Sequence, residues 1–173
     1  MTHEARTAEE MLADLERRRE AALGMGGPER IERHHASGRL TARERLELLI
    51  DEGSFFEIGL LAEPEYRREH PAPADAIVAG LAKVGGRKVC VLSVDATVLA
   101  GTTGQVNMKK QNRIAAWAGK RGLPLICISD NDGGRIPDVM GWRFSGLPFD
   151  FRTFVQAPEG HPEVPRLIAV VGA

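Results

Sequence analysis

Aromatic side chains are scarce. Phe, Trp and Tyr make up 5% of the 173 residues, with a single Tyr, so a base-stacking platform for single-stranded nucleic acid is not expected. Charge of one sign is missing as well: 23 Lys plus Arg face 24 Asp plus Glu, a net charge of −1. No overall field draws such a chain to nucleic acid or to an anionic membrane, and any anion it binds must be held by local geometry. There are only two cysteines, Cys90 and Cys127, both inside apolar runs (VCVLSV and LICIS). Two thiols without a ligand cluster make neither a zinc site nor a disulfide framework, and burial in the core is expected. No apolar run approaches the ~18 residues of a membrane span. The first thirty residues are charged throughout, unlike a signal peptide. The expectation is a protein of a reducing compartment, the cytoplasm, with no membrane or nucleic-acid partner.

Familiar nucleotide motifs are absent too. There is no GxGxxG between a strand and its helix and no GxxxxGK[ST], which argues against nucleotide hydrolysis. His34 and His35 are adjacent on a charged helix and point to different sides, so joint metal ligation is not expected. His161 sits among Glu and Pro in a loop. No Ser-His-Asp or Cys-His arrangement follows from spacing.

What is present is an ordinary globular balance, 43% hydrophobic and 27% charged, with 19 Gly and 10 Pro for tight turns. The chain divides into a helical front, residues 1–53, and an α/β body, residues 54–173. Thr7 with Glu10 is a capping-box pattern and Gly24 a stop, predicting a helix over 8–23. Its apolar stripe (Met11, Leu12, Leu15, Leu23) is thin, so it can bury little surface by itself. Pro28 opens a short helix that Gly38 ends. Thr41 with Glu44 is a second capping box, starting a helix with Leu46, Leu49 and Ile50 on one side.

In the body, FFEIGL reads as a strand and EPEYRREHPAPAD as a long Pro-rich loop. DAIVAGLAKV and RKVCVLSVDATV, joined by Gly85-Gly86, are a hairpin signal. AGTTG leads into a helix from about Gln105 to Lys120. LPLICIS is a buried strand, DNDGGRIPD a turn-rich loop, and a short helix starts near Pro137 or Asp138. A helical turn and loop are expected over 149–165. RLIAVVGA is a strand that calls for packing partners on both faces, which points to a domain that is incomplete as written. The repeating β-β-α order suggests stacked short sheets covered by helices, not a simple Rossmann sheet.

GRLTARERLELLIDEGSFFEIG, residues 38–59, resembles the N-terminal signature of the carboxyltransferase (β) subunits of biotin-dependent acyl-CoA carboxylases of the propionyl-CoA and methylcrotonyl-CoA type. SVDATVLAGTTG, a basic helix and LICISDNDGGRIPD follow in the family's order. The resemblance covers nearly the whole chain but only the N-terminal part of a family subunit. It implies an α/β, crotonase-like fold of ββα units, incomplete here, with the helical front as an extension. It also implies transfer of a carboxyl group from carboxybiotin, carried on a partner carrier protein, to the α-carbon of an acyl-CoA. The implied partners are an acyl-CoA substrate, a biotin carboxylase and biotin carboxyl carrier subunit, and a homo-oligomer or a complementing C-terminal half. No metal is called for.

Such chemistry places negative charge on a thioester oxygen, and backbone N–H groups at glycine bends suit that task better than titratable side chains. Two bends qualify. Gly133 and Gly134 are the expected oxyanion donors, in a segment where the family has Ser-Gly-Gly-Ala-Arg. Asp132 stands here for the Ser, and Gly134 adjoins Arg135 directly. Gly101, Thr102, Thr103 and Gly104 open the basic helix, where backbone amides can hold a phosphate or thioester. Lys109, Lys110, Arg113 and Arg135 are the candidate partners of CoA phosphates. Two alternatives remain. One is a non-catalytic homologue that binds CoA or assists assembly. The other is a hydratase-like enzyme drawing on Asp130, Asp132 and Asp138 near the loop.

Overall fold

The computed structural model describes residues 6–65, 71–140 and 163–172. Three helices lead: α1 (Ala8–Leu23), α2 (Pro28–Ala36) and α3 (Ala42–Leu49). Both predicted capping boxes form. Thr7 and Thr41 each accept a hydrogen bond from the amide three residues on, and Glu10 and Glu44 reach back to the cap amides. The fates of these two helices differ. In α1, Met11, Leu12 and Leu23 stay more than half exposed, whereas Leu46 of α3 is 2% exposed.

The strands are β1 (Phe56–Glu57), β2 (Ile77–Val84), β3 (Arg87–Val94), β4 (Leu125–Ser129) and β5 (Arg166–Val170). They form one sheet in sequence order. The first two pairings are antiparallel and the last two parallel. Among the described residues this is a single mixed sheet, where the pattern suggested stacked short ones. The β2–β3–α4–β4 segment is one ββα unit, with α4 (Gln105–Arg121) as the crossover that a parallel pair requires. β1 is shorter than FFEIGL implied. Its tight approach to β2 depends on Gly80, where a Cβ would collide with the Phe56 carbonyl.

The Gly85-Gly86 turn has both residues at positive φ, 55° and 78°. The Asp51 carboxylate accepts from both amides at 2.8 Å, tying the hairpin tip to the chain after α3.

Two cores flank the sheet. On one face Ile77, Leu92 and Leu125 pack with Ile114, Ala115 and Ala118 of α4. On the other, Val78, Val89 and Val91 pack with Ala42 and Leu46 of α3. The third front helix is therefore part of the same core as the strands. Cys90 and Cys127 are buried as expected, and burial pushes both thiols up to about 11.

A short α5 (Ile136–Val139) begins at the expected place, with Pro137 in its first turn. Of the helical turn and loop expected over 149–165, all but residues 163–165 lie outside the described residues. On β5, Leu167, Ile168 and Val170 remain more than half exposed.

Candidate functional site

β3 and β4 are parallel neighbours, so the loops leaving their C-terminal ends emerge side by side. Those loops carry the two glycine bends, and backbone hydrogen bonds join them. Thr103 N–H donates to Gly133 O at 2.8 Å, Arg135 N–H to Thr103 O at 2.7 Å, and Asp132 N–H to Ala100 O at 3.2 Å. The first two bonds make a parallel bridge centred on Gly134. In that geometry the Gly134 N–H and C=O point away from Thr103. Gly134 is exposed. Its companion Gly133 has φ 89° and donates its own N–H to Asn131 Oδ1 at 3.2 Å. Of the two expected donors, Gly134 is the one whose amide faces outward.

The first bend is built differently. Leu99, Ala100 and Gly101 all have positive φ, at 48°, 52° and 66°. Two of these are non-glycine, a strained stretch that only fixed surroundings maintain. A Cβ on Gly101 would strike the Asp130 carbonyl and lie 2.7 Å from Val94 Cγ1. Thr102 Oγ1 donates to Leu99 O at 2.6 Å. Gly104 is the N-cap of α4 and no side chain on the bend caps it. A Cβ there would meet Asp138 Oδ2 at 2.5 Å and Arg135 Nη1 at 2.7 Å.

Arg135 is the joint between the bends, and here the expectation of a phosphate contact is corrected. The side chain is 5% exposed. Its Nη1 donates to Asp75 Oδ1 at 2.6 Å and to Asp138 Oδ2 at 3.1 Å, and its Nη2 to Thr102 O at 2.8 Å. A guanidinium already held by two buried carboxylates has no geometry left for a phosphate. The other oxygen of Asp75 accepts the Asn107 amide at 2.6 Å. An internal carboxylate thus satisfies part of the positive end of α4, where an external anion was expected.

Lys110 is also withdrawn from the phosphate set. Its side chain is buried and Nζ donates to the carbonyls of Gly59 (2.9 Å), Ala74 (3.2 Å) and Ile77. Burial lowers the ammonium to about 8. Lys109 and Arg113 of the same helix are exposed.

Three carboxylates near the loop are the acid–base candidates. Asp138 is committed to Arg135. Asp130 is 4% exposed and ringed by basic side chains, with Arg45 Nη2 at 2.7 Å, His34 Nε2 at 3.6 Å and Arg39 Nη1 at 3.8 Å. Asp132 is exposed. They do not form a carboxylate pair, which removes the support for hydratase-like chemistry. His34 and His35 also separate: His34 is buried and bonds to Leu40 O at 3.2 Å, while His35 bonds to Glu44 Oε2 at 2.9 Å. That contact, with the Thr41 amide, holds the Glu44 carboxyl down at about 2.

Sequence reasoning missed Asp75 and the ring around Asp130. A signal for Asp75 was available: an acid inside APADAIVAG must find a cation if the segment is buried.

A ββα unit with paired glycine bends at the ends of its parallel strands fits the crotonase-like fold, and solved carboxyltransferases share it. The hexameric transcarboxylase 12S core superposes with TM-score 0.72 at 32% identity, over 79% of this chain and 28% of that one. A single-chain, multi-domain long-chain acyl-CoA carboxylase gives 0.71 at 36%, over 87% and 16%. The carboxyl transferase domain model matches residues 33–164, and the chain belongs to that family. Among similar proteins, the propionyl-CoA carboxylase β chain of Roseobacter denitrificans is 41% identical over 133 residues, 75% of this chain and 26% of that protein. The biotin-dependent acetyl-/propionyl-coenzyme A carboxylase β5 subunit of Mycobacterium tuberculosis is 41% identical over 131 residues, 73% and 24%. The chain spans about a quarter of the length of these relatives. No helix among the described residues is long and apolar enough to cross a membrane.

Proposed function

We propose that this chain supplies the acyl-CoA side of a biotin-dependent carboxyltransferase, working with further chain and with a carrier that brings carboxybiotin. The observation that carries this reading is the pairing of the two glycine bends, with the Gly134 amide turned outward at the ends of β3 and β4. Forming a bond at the α-carbon of a thioester drives electron density onto its carbonyl oxygen. A fixed N–H aimed at that oxygen stabilises the enolate-like state without reorganising. The buried Arg135 with Asp75 and Asp138 positions this amide; it does not touch the substrate.

Biotin belongs with the partners in this reading, and they include a biotin carboxylase and its carrier subunit. Self-association or complementation by a C-terminal half is part of the same proposal.

The test is carboxyl transfer or its reverse. The chain is combined with the complementing half, and decarboxylation of malonyl- or methylmalonyl-CoA is followed with free biotin as acceptor. Activity is expected in the complex. Replacing Gly134 by Pro, which removes the N–H, should lower kcat by about 10²–10³. Should Gly134→Pro leave kcat unchanged in a folded complex, this amide is not the donor. A complex that binds acyl-CoA without turnover would instead favour a CoA-binding or assembly role.

A further inference from the structure

Asp130 is a buried charge that the proposed chemistry leaves unused. Along β4, Ile126 and Ile128 face the core shared with α3. The period-two alternation of a strand sends Asp130, the next residue of that face, beneath the same helix. Its carboxylate is nearly sealed from water, and a charge so placed persists only beside a partner.

The partners all come from the front of the chain. Of the two arginines, Arg45 of α3 is the nearer and the more enclosed, its side chain 10% exposed and its Nη2 2.7 Å from Oδ2. Arg39 is 40% exposed and 3.8 Å away. His34 of α2 bonds through Nε2 to the Leu40 carbonyl at 3.2 Å and stands 3.6 Å from the carboxylate. Arg45 Nη1 is buried with no hydrogen-bond partner among the described residues, so the contact runs through Nη2.

The same aspartate begins the second glycine bend. Its carbonyl lies so close to the first bend that a Cβ on Gly101 would strike it, and a Cβ on Gly172, after β5, would strike its carboxylate. Two residues on, the Asp132 amide donates to Ala100 O at 3.2 Å. Gly133 and Gly134 follow, and Arg135 closes the segment with Asp75 and Asp138. The Gly134 amide is thus suspended between two buried sets of ion pairs. An N–H held at both ends can meet a developing charge without reorganising, and one held at a single end cannot.

We propose that Arg45, acting through Asp130, is a positioning residue for the Gly134 amide, which makes α3 part of the site's scaffold as well as of the core. The catalytic consequence rests on the carboxyltransferase reading. The ordering of the bend rests on the geometry alone, and the two are measured separately.

Backbone ¹⁵N relaxation of the full chain reads the ordering. In Arg45→Met and in Asp130→Asn the order parameter of the Gly134 N–H should fall from about 0.85 to below about 0.6, while those of Val91 and Ile114 stay near the rigid value. Kinetics of the complemented complex read the consequence. Either variant should lower kcat by about 10–10²-fold, with KM for the acyl-CoA changed by less than about twofold. Arg45→Lys, which keeps a cation able to make a one-nitrogen contact, should recover most of the loss. The double variant should be no worse than the poorer single one, because both residues act through one contact. Should Arg45→Met not fold, Asp130→Asn and Arg45→Lys decide by the same readouts. An unchanged Gly134 order parameter in folded variants, additive losses in kcat, or a rise in KM at constant kcat overturns the proposal. A wild-type complex without carboxyl transfer removes the enzymatic reading, and the relaxation data still uphold or overturn the positioning role.

Discussion

The two glycine bends carry similar residues and do opposite things. The Gly101–Gly104 bend faces inward. A side chain at Gly101 or at Gly104 would collide with fixed atoms of the second bend or its anchors. The Gly133–Gly134 bend faces outward, and a Cβ on Gly133 would meet nothing within 4 Å. Glycine in the first bend is needed for close approach. In the second it is needed for backbone conformation, and the amide it leaves uncovered is available to a ligand. A glycine-rich loop at a strand end is thus not one kind of object, and the surroundings of each Cβ position decide which kind it is.

The strongest way to break this contrast is to remove the joint. Arg135→Ala leaves Asp75 and Asp138, both at most 2% exposed, without their cation. Stranding buried charge in this way costs about 3–5 kcal/mol, and urea unfolding should show both bends lost with the fold. Next is Gly101→Ala. The collision with the Asp130 carbonyl adds to the positive-φ penalty, together about 3 kcal/mol, again read from the urea midpoint.

Lys110 gives a pH-dependent version, because its contacts with the carbonyls of Gly59, Ala74 and Ile77 tie the turn that presents Asp75 to its neighbours. Its folded value, about 8, is depressed first by burial, below the ordinary value near 10.5. Between these values the unfolded chain binds more protons, so stability rises with pH across that window. The gain is at most about 3 kcal/mol. Lys110→Met should abolish the rise. A wild-type midpoint that stays flat or falls between pH 8 and 10.5, relative to the variant, would contradict the assignment.

Much of the fold was legible because local signals agreed with the final packing. The capping boxes at Thr7 and Thr41, the Gly85-Gly86 hairpin and the β3–α4–β4 order all rest on short-range chemistry. The pairing of the bends was not legible, since it depends on β3 and β4 lying side by side across thirty residues of chain. The misreading of Lys110 and Arg135 has the same origin. A basic residue on a helix or beside a glycine loop reads as solvated until its neighbours are known, and those neighbours (Gly59, Ala74, Asp75) are distant in sequence.

The smallest expected effect sharpens the comparison most. Gly133→Ala meets no atom, so its destabilisation is the backbone term alone, about 1 kcal/mol for a positive-φ position. Gly101→Ala carries the same backbone term plus the collision. The difference between the two variants' urea midpoints, converted to free energy, therefore isolates what close approach contributes at the first bend, about 2 kcal/mol. In the complemented complex, Gly133→Ala should also lower transfer activity, because tilting this residue re-aims the Gly134 amide while the joint at Arg135 stays intact. Equal destabilisation by the two substitutions would mean that the inward and outward bends are the same structure after all.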